Sequence, residues 1–171
     1  MLDTRELGRR PGSQRQLSRT VPAPADLGID VLRVAEGSPV DLDLRLEAVM
    51  EGVLVTGTAS AELEGECTRC LEPLAEPVSA SFQELYVYDD LASARDEEGD
   101  VGRLEGDLLD LEPVLRDAVV LGLPFQPLCQ EDCPGLCPAC GARLAEDPHH
   151  AHDTPVDPRW ALLQGLRVDQ D

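Results

Sequence analysis

The sequence predicts an α+β fold: an antiparallel β-sheet body, one or two short helices, and cysteine- and histidine-bearing loops that end in a ribbon-like C-terminal extension. Three observations predict it. Residues 40–63 alternate apolar and polar side chains, the period of a half-buried strand. Apolar residues recur at helical spacing around Pro113. Six cysteines fall into three close pairs: Cys67 and Cys70, Cys129 and Cys133, Cys137 and Cys140.

Residues 1–28 carry Pro11, Gly12, Ser13, Pro22, Pro24 and Gly28 without sustained periodicity, apart from a short helical pattern at Asp3 to Arg9. They are expected to form an arm lying on the body. From Val40 one face reads Val40, Leu42, Leu44, Leu46 and Ala48, the other Asp41, Asp43, Arg45 and Glu47. Glu51 and Gly52 then make a turn, and Val53, Val55, Gly57, Ala59, Ala61 and Leu63 continue the alternation, so the two segments predict a hairpin. A third strand is expected near Val78 to Tyr88, reached through the first cysteine pair. Residues 89–107, rich in Asp, Glu and Gly, read as a solvated loop.

Leu108 to Leu111 predicts a short strand, and Pro113 suits a first helical position. Leu111, Val114, Leu115, Ala118 and Leu121 share one helical face, and Gly122 and Pro124 stop the helix. A short terminal helix docked through Trp160 is expected at the end. Only five residues are aromatic, so the core is aliphatic and modest, and any bound metal takes a larger share in stability.

The N-terminus meets an acid at once and has no apolar stretch of seven residues, which does not read as a secretory signal. The expected location is the cytoplasm, with reduced thiols and no membrane span, since no apolar run nears the roughly 18 residues a span requires. Arginine supplies every basic side chain, and the formal net charge is −20. Residues 1–19 run against this trend, with Arg5, Arg9, Arg10, Arg15 and Arg19 facing Asp3 and Glu6. A body so acidic repels phosphate chains through its general field, so nucleic-acid contact must be local, with Arg9 and Arg10 as the candidates. A basic protein is the partner that the acidic body itself fits.

Clustered, reduced cysteines point to metal binding. Cys67-Thr-Arg-Cys70 stands at a strand end, where a tight turn brings two thiolates to one ion. Cys129-Gln-Glu-Asp-Cys133 offers two more ligands. Cys137-Pro-Ala-Cys140-Gly141 is a second such turn, with glycine permitting the positive φ that a metal knuckle uses. His150 and His152, one residue apart, put two imidazoles on one side of an extended segment. The ligands then count as two sets of four, each for one structural Zn2+: Cys67, Cys70, Cys129 and Cys133; Cys137, Cys140, His150 and His152. The rival arrangement is a single four-cysteine site within residues 129–140. The fold expectation thus becomes a sheet body with Cys/His zinc-binding loops and a C-terminal zinc-ribbon-like extension. It divides into an arm (1–28), a body (29–134), and a zinc-knuckle extension with the terminal helix (135–171).

Other cysteine chemistries fit less well. Cys133-x-x-x-Cys137-x-x-Cys140 has the spacing by which radical-SAM enzymes hold an iron–sulfur cluster, but too little chain follows Cys140 for their large barrel. Cys137-Pro-Ala-Cys140 is similar to a glutaredoxin dithiol, yet no helix pattern follows to lower a thiol pKa. No histidine precedes the cysteines, as a zinc deaminase would need. No phosphate loop, nucleophile elbow or dinucleotide fingerprint is present, so neither an enzyme nor a small-molecule substrate is expected. The second reading is a thiol-based zinc or redox sensor.

One combination carries a family resemblance. A strand leads into Gly65-Glu66-Cys67-Thr68-Arg69-Cys70-Leu71-Glu72-Pro73; a helix then ends in Leu123-Pro124, and Pro127-Leu128-Cys129 runs through Cys133-Pro134-Gly135-Leu136-Cys137-Pro138-Ala139-Cys140-Gly141. This resembles the YceD family over nearly the whole chain, and the opening Leu7-Gly8-Arg9-Arg10-Pro11-Gly12 resembles its high-GC Gram-positive members. The resemblance implies a role in accumulation of large-subunit (23S) ribosomal RNA. It also implies a partner in large-subunit assembly, the RNA or a small basic large-subunit ribosomal protein whose gene often lies beside family genes. Some members resemble the chain at Cys67, Cys70 and residues 129–133 but lack the later extension, which implies two separable sites. Others carry Cys-x-Cys where this chain has His150-Ala151-His152.

Overall fold

A computed structural model gives the structure, describing residues 1–88 and 102–152 together with Arg159. Most of the acidic loop expected at 89–107, and the terminal helix expected around Trp160, lie outside the described residues. Nine strands and one helix are formed among those described: β1 (Leu2–Asp3), β2 (Gln14–Pro22), β3 (Gly28–Ile29), β4 (Leu32–Val34), β5 (Pro39–Ala48), β6 (Gly52–Glu66), β7 (Pro73–Val87), β8 (Gly102–Arg103), β9 (Leu108–Leu109) and α1 (Glu112–Gly122).

The 15-residue β6 is the spine of the main sheet. One edge carries β7 along its whole length, from Gly52 opposite Val87 to Glu66 opposite Pro73. The other edge carries β5 beside Val53–Ser60 and then β4 beside Leu63–Gly65. β2 extends the sheet from β5, β3 from β4, and β8 pairs parallel to the end of β7. The expected antiparallel body is therefore present. The β6–β7 hairpin ends in the first cysteine turn, so the longest ladder among the described residues positions Cys67 and Cys70.

Alternation decides which face is covered. Val40, Leu42, Leu44, Leu46 and Ala48 of β5 are buried, as are Val53, Val55 and Ala59 of β6, while Asp41, Asp43 and Arg45 face out. Helix α1 packs over β7 and buries Leu115 and Val119. Asp110 Oδ1 accepts the Glu112 N–H at 3.1 Å, satisfying one of the donors that a helix start leaves open. Arg116 clasps the chain before β3, donating to the Ala25 carbonyl at 2.9 Å and to that of Asp26. Leu121, expected on the buried face, is instead 85% exposed, and Val119 takes the inward position.

Three segments differ from the sequence expectation. Residues 14–22 are not a bare arm lying on the body but a full strand, in register from Gln14 opposite Glu47 to Pro22 opposite Pro39. The helical pattern at Asp3 to Arg9 gives way to turns, because β1 pairs with β9 and Thr4 donates backbone and hydroxyl hydrogen bonds to the Asp107 carbonyl. The third strand begins at Pro73, five residues early. Pro73 and Pro77 are tolerated because the outer edge of β7 pairs only with β8, at Tyr86 and Val87, among the described residues. Leu104, within the expected solvated loop, is fully buried and donates its N–H to the Val87 carbonyl at 3.0 Å.

Candidate metal centres

The first group forms where the β6–β7 ladder closes. The Cys67 N–H donates to the Glu72 carbonyl at 2.8 Å and the Leu71 N–H to the Cys67 carbonyl at 2.9 Å, folding Cys67–Glu72 into a knuckle. The chain leaving α1 returns to it: Thr68 donates both its N–H and its hydroxyl to the Pro127 carbonyl, at 3.0 and 3.2 Å. Cys129 and Cys133 thereby face Cys67 and Cys70. Cys67 Sγ is 3.8 Å from Cys133 Sγ, and Cys70 Sγ is 3.6 Å from Cys129 Sγ. A tetrahedral ion with metal–sulfur bonds of about 2.3 Å requires sulfur–sulfur edges of about 3.8 Å. Cys67, Cys70 and Cys133 are buried against Leu74 and Leu128, and Cys129 is exposed.

The second group repeats the first knuckle bond for bond. The Cys137 N–H donates to the Ala142 carbonyl at 2.8 Å and the Gly141 N–H to the Cys137 carbonyl at 2.8 Å. The fifth residue of each knuckle takes the left-handed conformation, Gly141 at φ +73° and Leu71 at φ +59°. His150 and His152 close the group, each with Nε2 3.2 Å from Cys140 Sγ and 2.9 Å from each other. Asp147 shapes that loop: its carbonyl accepts the His150 N–H at 3.0 Å, its carboxylate accepts the His149 N–H at 3.2 Å, and Oδ2 stands 3.7 Å from His150 Nδ1. Cys140 and His152 are exposed.

The structure thus brings together all eight candidate ligands as two sets of four, with the donor atoms of each set within 4.8 Å of one another. The rival site within residues 129–140 is not adopted, because Cys129 and Cys133 turn toward the hairpin and Cys137 and Cys140 toward the histidines.

The donor chemistry suits a cation. At Cys67 burial pushes the thiol up, but N–H groups of Cys129, Cys70 and Arg69 outweigh it and leave the pKa at about 6. At Cys137 the Ala139 N–H pulls hardest, burial opposes it, and the result is again about 6. Neighbouring sulfurs meet the opposite fate: the Cys133 contact and burial push Cys129 up to about 12, and burial foremost raises Cys70. One thiolate is favoured in each set, and in the first set further ones at Cys70 and Cys129 are resisted. A dication at the centre removes that resistance.

The two centres are joined through Arg69, inside the first knuckle. Its guanidinium donates to the Cys133 carbonyl at 3.0 Å, and its own carbonyl accepts the Leu136 N–H at 3.1 Å. Gly135, at φ +77°, passes so close that a Cβ there would lie 3.0 Å from the Arg69 carbonyl oxygen. Glu72 pairs with Arg143 across the same seam. Arg69, Glu72 and Gly135 stand inside the cysteine motifs, but sequence spacing gives no sign that they bridge the two knuckles.

Arg9 and Arg10 lie in the turns before β2. The Arg9 guanidinium sits 4.5 Å above the Tyr88 ring, a strap across the end of β7. Arg10 is exposed. Arg5 pairs with Asp3 at 3.1 Å and Arg15 with Glu6 at 2.7 Å, so part of the basic segment is matched by its own acids. Among the described residues no helix is long and apolar enough to cross a membrane.

Comparison with known proteins places this architecture. An uncharacterized protein of Mycobacterium tuberculosis is 49% identical over 95% of this chain and 78% of its own length. One from Mycobacterium leprae is 43% identical over 97% and 76%. A maize protein named large ribosomal RNA subunit accumulation protein YCED homolog 1, chloroplastic, is 26% identical over 59% of this chain and 41% of its own. No solved structure matches significantly. The family model described as large ribosomal RNA subunit accumulation protein YceD matches residues 55–167, from within the central strand through both cysteine groups. The chain belongs to the YceD family, in the form found in high-GC bacteria.

Proposed function

We propose that this protein is a non-enzymatic, cytoplasmic factor in biogenesis of the large ribosomal subunit, and that its two cysteine-rich groups bind structural Zn2+. The family description supports the ribosomal role. The observation that carries the rest is the count of donors: each group supplies four protein ligands. Four ligands complete a tetrahedral zinc and leave no position for water or substrate, which is the structural rather than the catalytic pattern. Cys67, Cys70, Cys129 and Cys133 hold one ion, and Cys137, Cys140, His150 and His152 the other. Zinc then fixes the hairpin tip and the following loops as one presenting surface, contributing about 10 kcal/mol or more per site to their order.

The net charge of −20 favours a basic large-subunit ribosomal protein as the direct partner, with rRNA touched locally through Arg9 and Arg10. RNA accumulation then follows from correct protein delivery or retention. The test is a deletion strain complemented with wild-type or Cys67→Ser protein, read by sucrose-gradient profiles and 23S rRNA level. Loss of large subunits, restored by the wild type and not by Cys67→Ser, is expected. Normal profiles in the deletion strain would refute the role.

Exposure of Cys140 and His152 favours one second reading, a thiol-based sensor in which the outer zinc is labile. Rapid zinc loss under mild oxidant, with a matching change in ribosome profiles, would support it. Zinc retained under the same treatment would exclude it.

A further inference from the structure

We infer that Leu71, at the tip of the first knuckle, is the apolar anchor of a docking groove for a basic protein segment. This rests on the proposed assembly role and names the surface that performs it. The two knuckles share the same backbone hydrogen bonds, and both need a left-handed residue at the fifth position. The second knuckle uses glycine, which adopts that conformation freely. The first uses leucine, at φ +59°, with 55% of the residue in water. That choice is unfavourable twice over within the isolated chain, since the backbone is strained and an apolar side chain is left uncovered. A strained residue over-determined by its surroundings points to use of its side chain.

The surroundings show what it would meet. A groove of about 470 Å³ runs between the β3–β4 turn and the end of the β6–β7 hairpin. Leu71, Leu74 and the 37%-exposed Val31 line it as apolar side chains, together with buried Leu32 and Cys67. Asp30, Glu64 and Glu66 line it as well, and the arginine among the lining residues, Arg33, lies 3.8 Å from Glu64. A lining that combines exposed apolar side chains with three acids against one arginine complements a lysine- or arginine-rich segment carrying a leucine- or phenylalanine-like side chain. It opposes phosphate, and among the described residues no aromatic ring lines the groove to stack a base. The knuckle's backbone hydrogen bonds, Cys67 to Glu72 and Leu71 to Cys67, hold the anchor in place.

Leu71→Gly removes the anchor while relieving the strain, so the variant keeps its fold and metal. Purified large-subunit ribosomal proteins, tested one at a time, and a 23S rRNA fragment are the probes, with Glu66→Arg as the charge reversal. The expected result is binding of at least one basic ribosomal protein by the wild type, weakened at least about tenfold by Leu71→Gly with zinc content and melting midpoint maintained, and weakened also by Glu66→Arg. Wild-type binding that survives both substitutions overturns the groove and leaves the assembly role standing. Loss of rRNA binding in place of protein binding overturns the choice of partner. No binding of any ribosomal protein by the wild type overturns the protein-partner reading and the groove together.

Discussion

Gly141→Ala isolates one physical effect. A Cβ at Gly141 meets no atom within 4 Å, so packing is untouched and only the backbone at φ +73° resists the change. A left-handed L-residue costs about 1–2 kcal/mol, and the smaller unfolded-state entropy of alanine returns about 0.4–1 kcal/mol. The net is about 1 kcal/mol. Because the knuckle must hold this conformation to present Cys137 and Cys140, the loss appears as about fivefold weaker zinc binding at the second group. Leu71→Gly is the mirror experiment, with a gain of up to the same size at the first group, reduced by the contacts of the covered part of the leucine. Extraction by a coloured chelator reads both, the exposed second group emptying before the buried first. Unchanged second-phase affinity in Gly141→Ala, or a weakened first group in Leu71→Gly, would refute the claim that the knuckles share one conformational requirement.

Further substitutions test the rest of the scaffold. Cys137→Ser should lose one zinc and keep the sheet, seen as an unchanged far-ultraviolet spectrum with halved metal content. Gly57→Ala places a Cβ 2.6 Å from both Leu44 Cδ2 and Phe82 Cζ, and should cost about 1–3 kcal/mol in urea unfolding. Arg9→Ala should cost about 0.5–1 kcal/mol through loss of the Tyr88 contact, and together with Arg10→Ala should reduce the salt dependence of any 23S rRNA binding. Glu72→Gln breaks a half-exposed ion pair at the seam and should weaken the second site by no more than about fivefold, by chelator competition.

Periodicity made β5, β6 and α1 legible because each buries a continuous face. It failed at β2, an edge strand whose inward positions are Arg15, Leu17, Arg19 and Val21, half of them charged. The alternation is there, but little of it is apolar. The early part of β7 was hidden by Pro73 and Pro77, which argue against a central strand and are acceptable on an open edge. Leu104 was obscured by its acidic neighbours, although a lone leucine in such a stretch is the kind of residue that plugs into a core. Cysteine and histidine spacing was enough to suggest the two sets of four, since ligand type and count constrain a tetrahedral site strongly. The bridge through Arg69 and the left-handed Leu71 carried no signal in spacing, because one runs to backbone groups that any residue supplies and the other is a residue that normally avoids its conformation.

Metal stoichiometry, measured by elemental analysis of protein purified without added metal alongside Cys67→Ser and His150→Ala, tests two-site zinc binding most directly. Two zinc ions per chain, falling to one in each variant, is the predicted result. A single zinc that survives both substitutions, or iron in place of zinc, would contradict it.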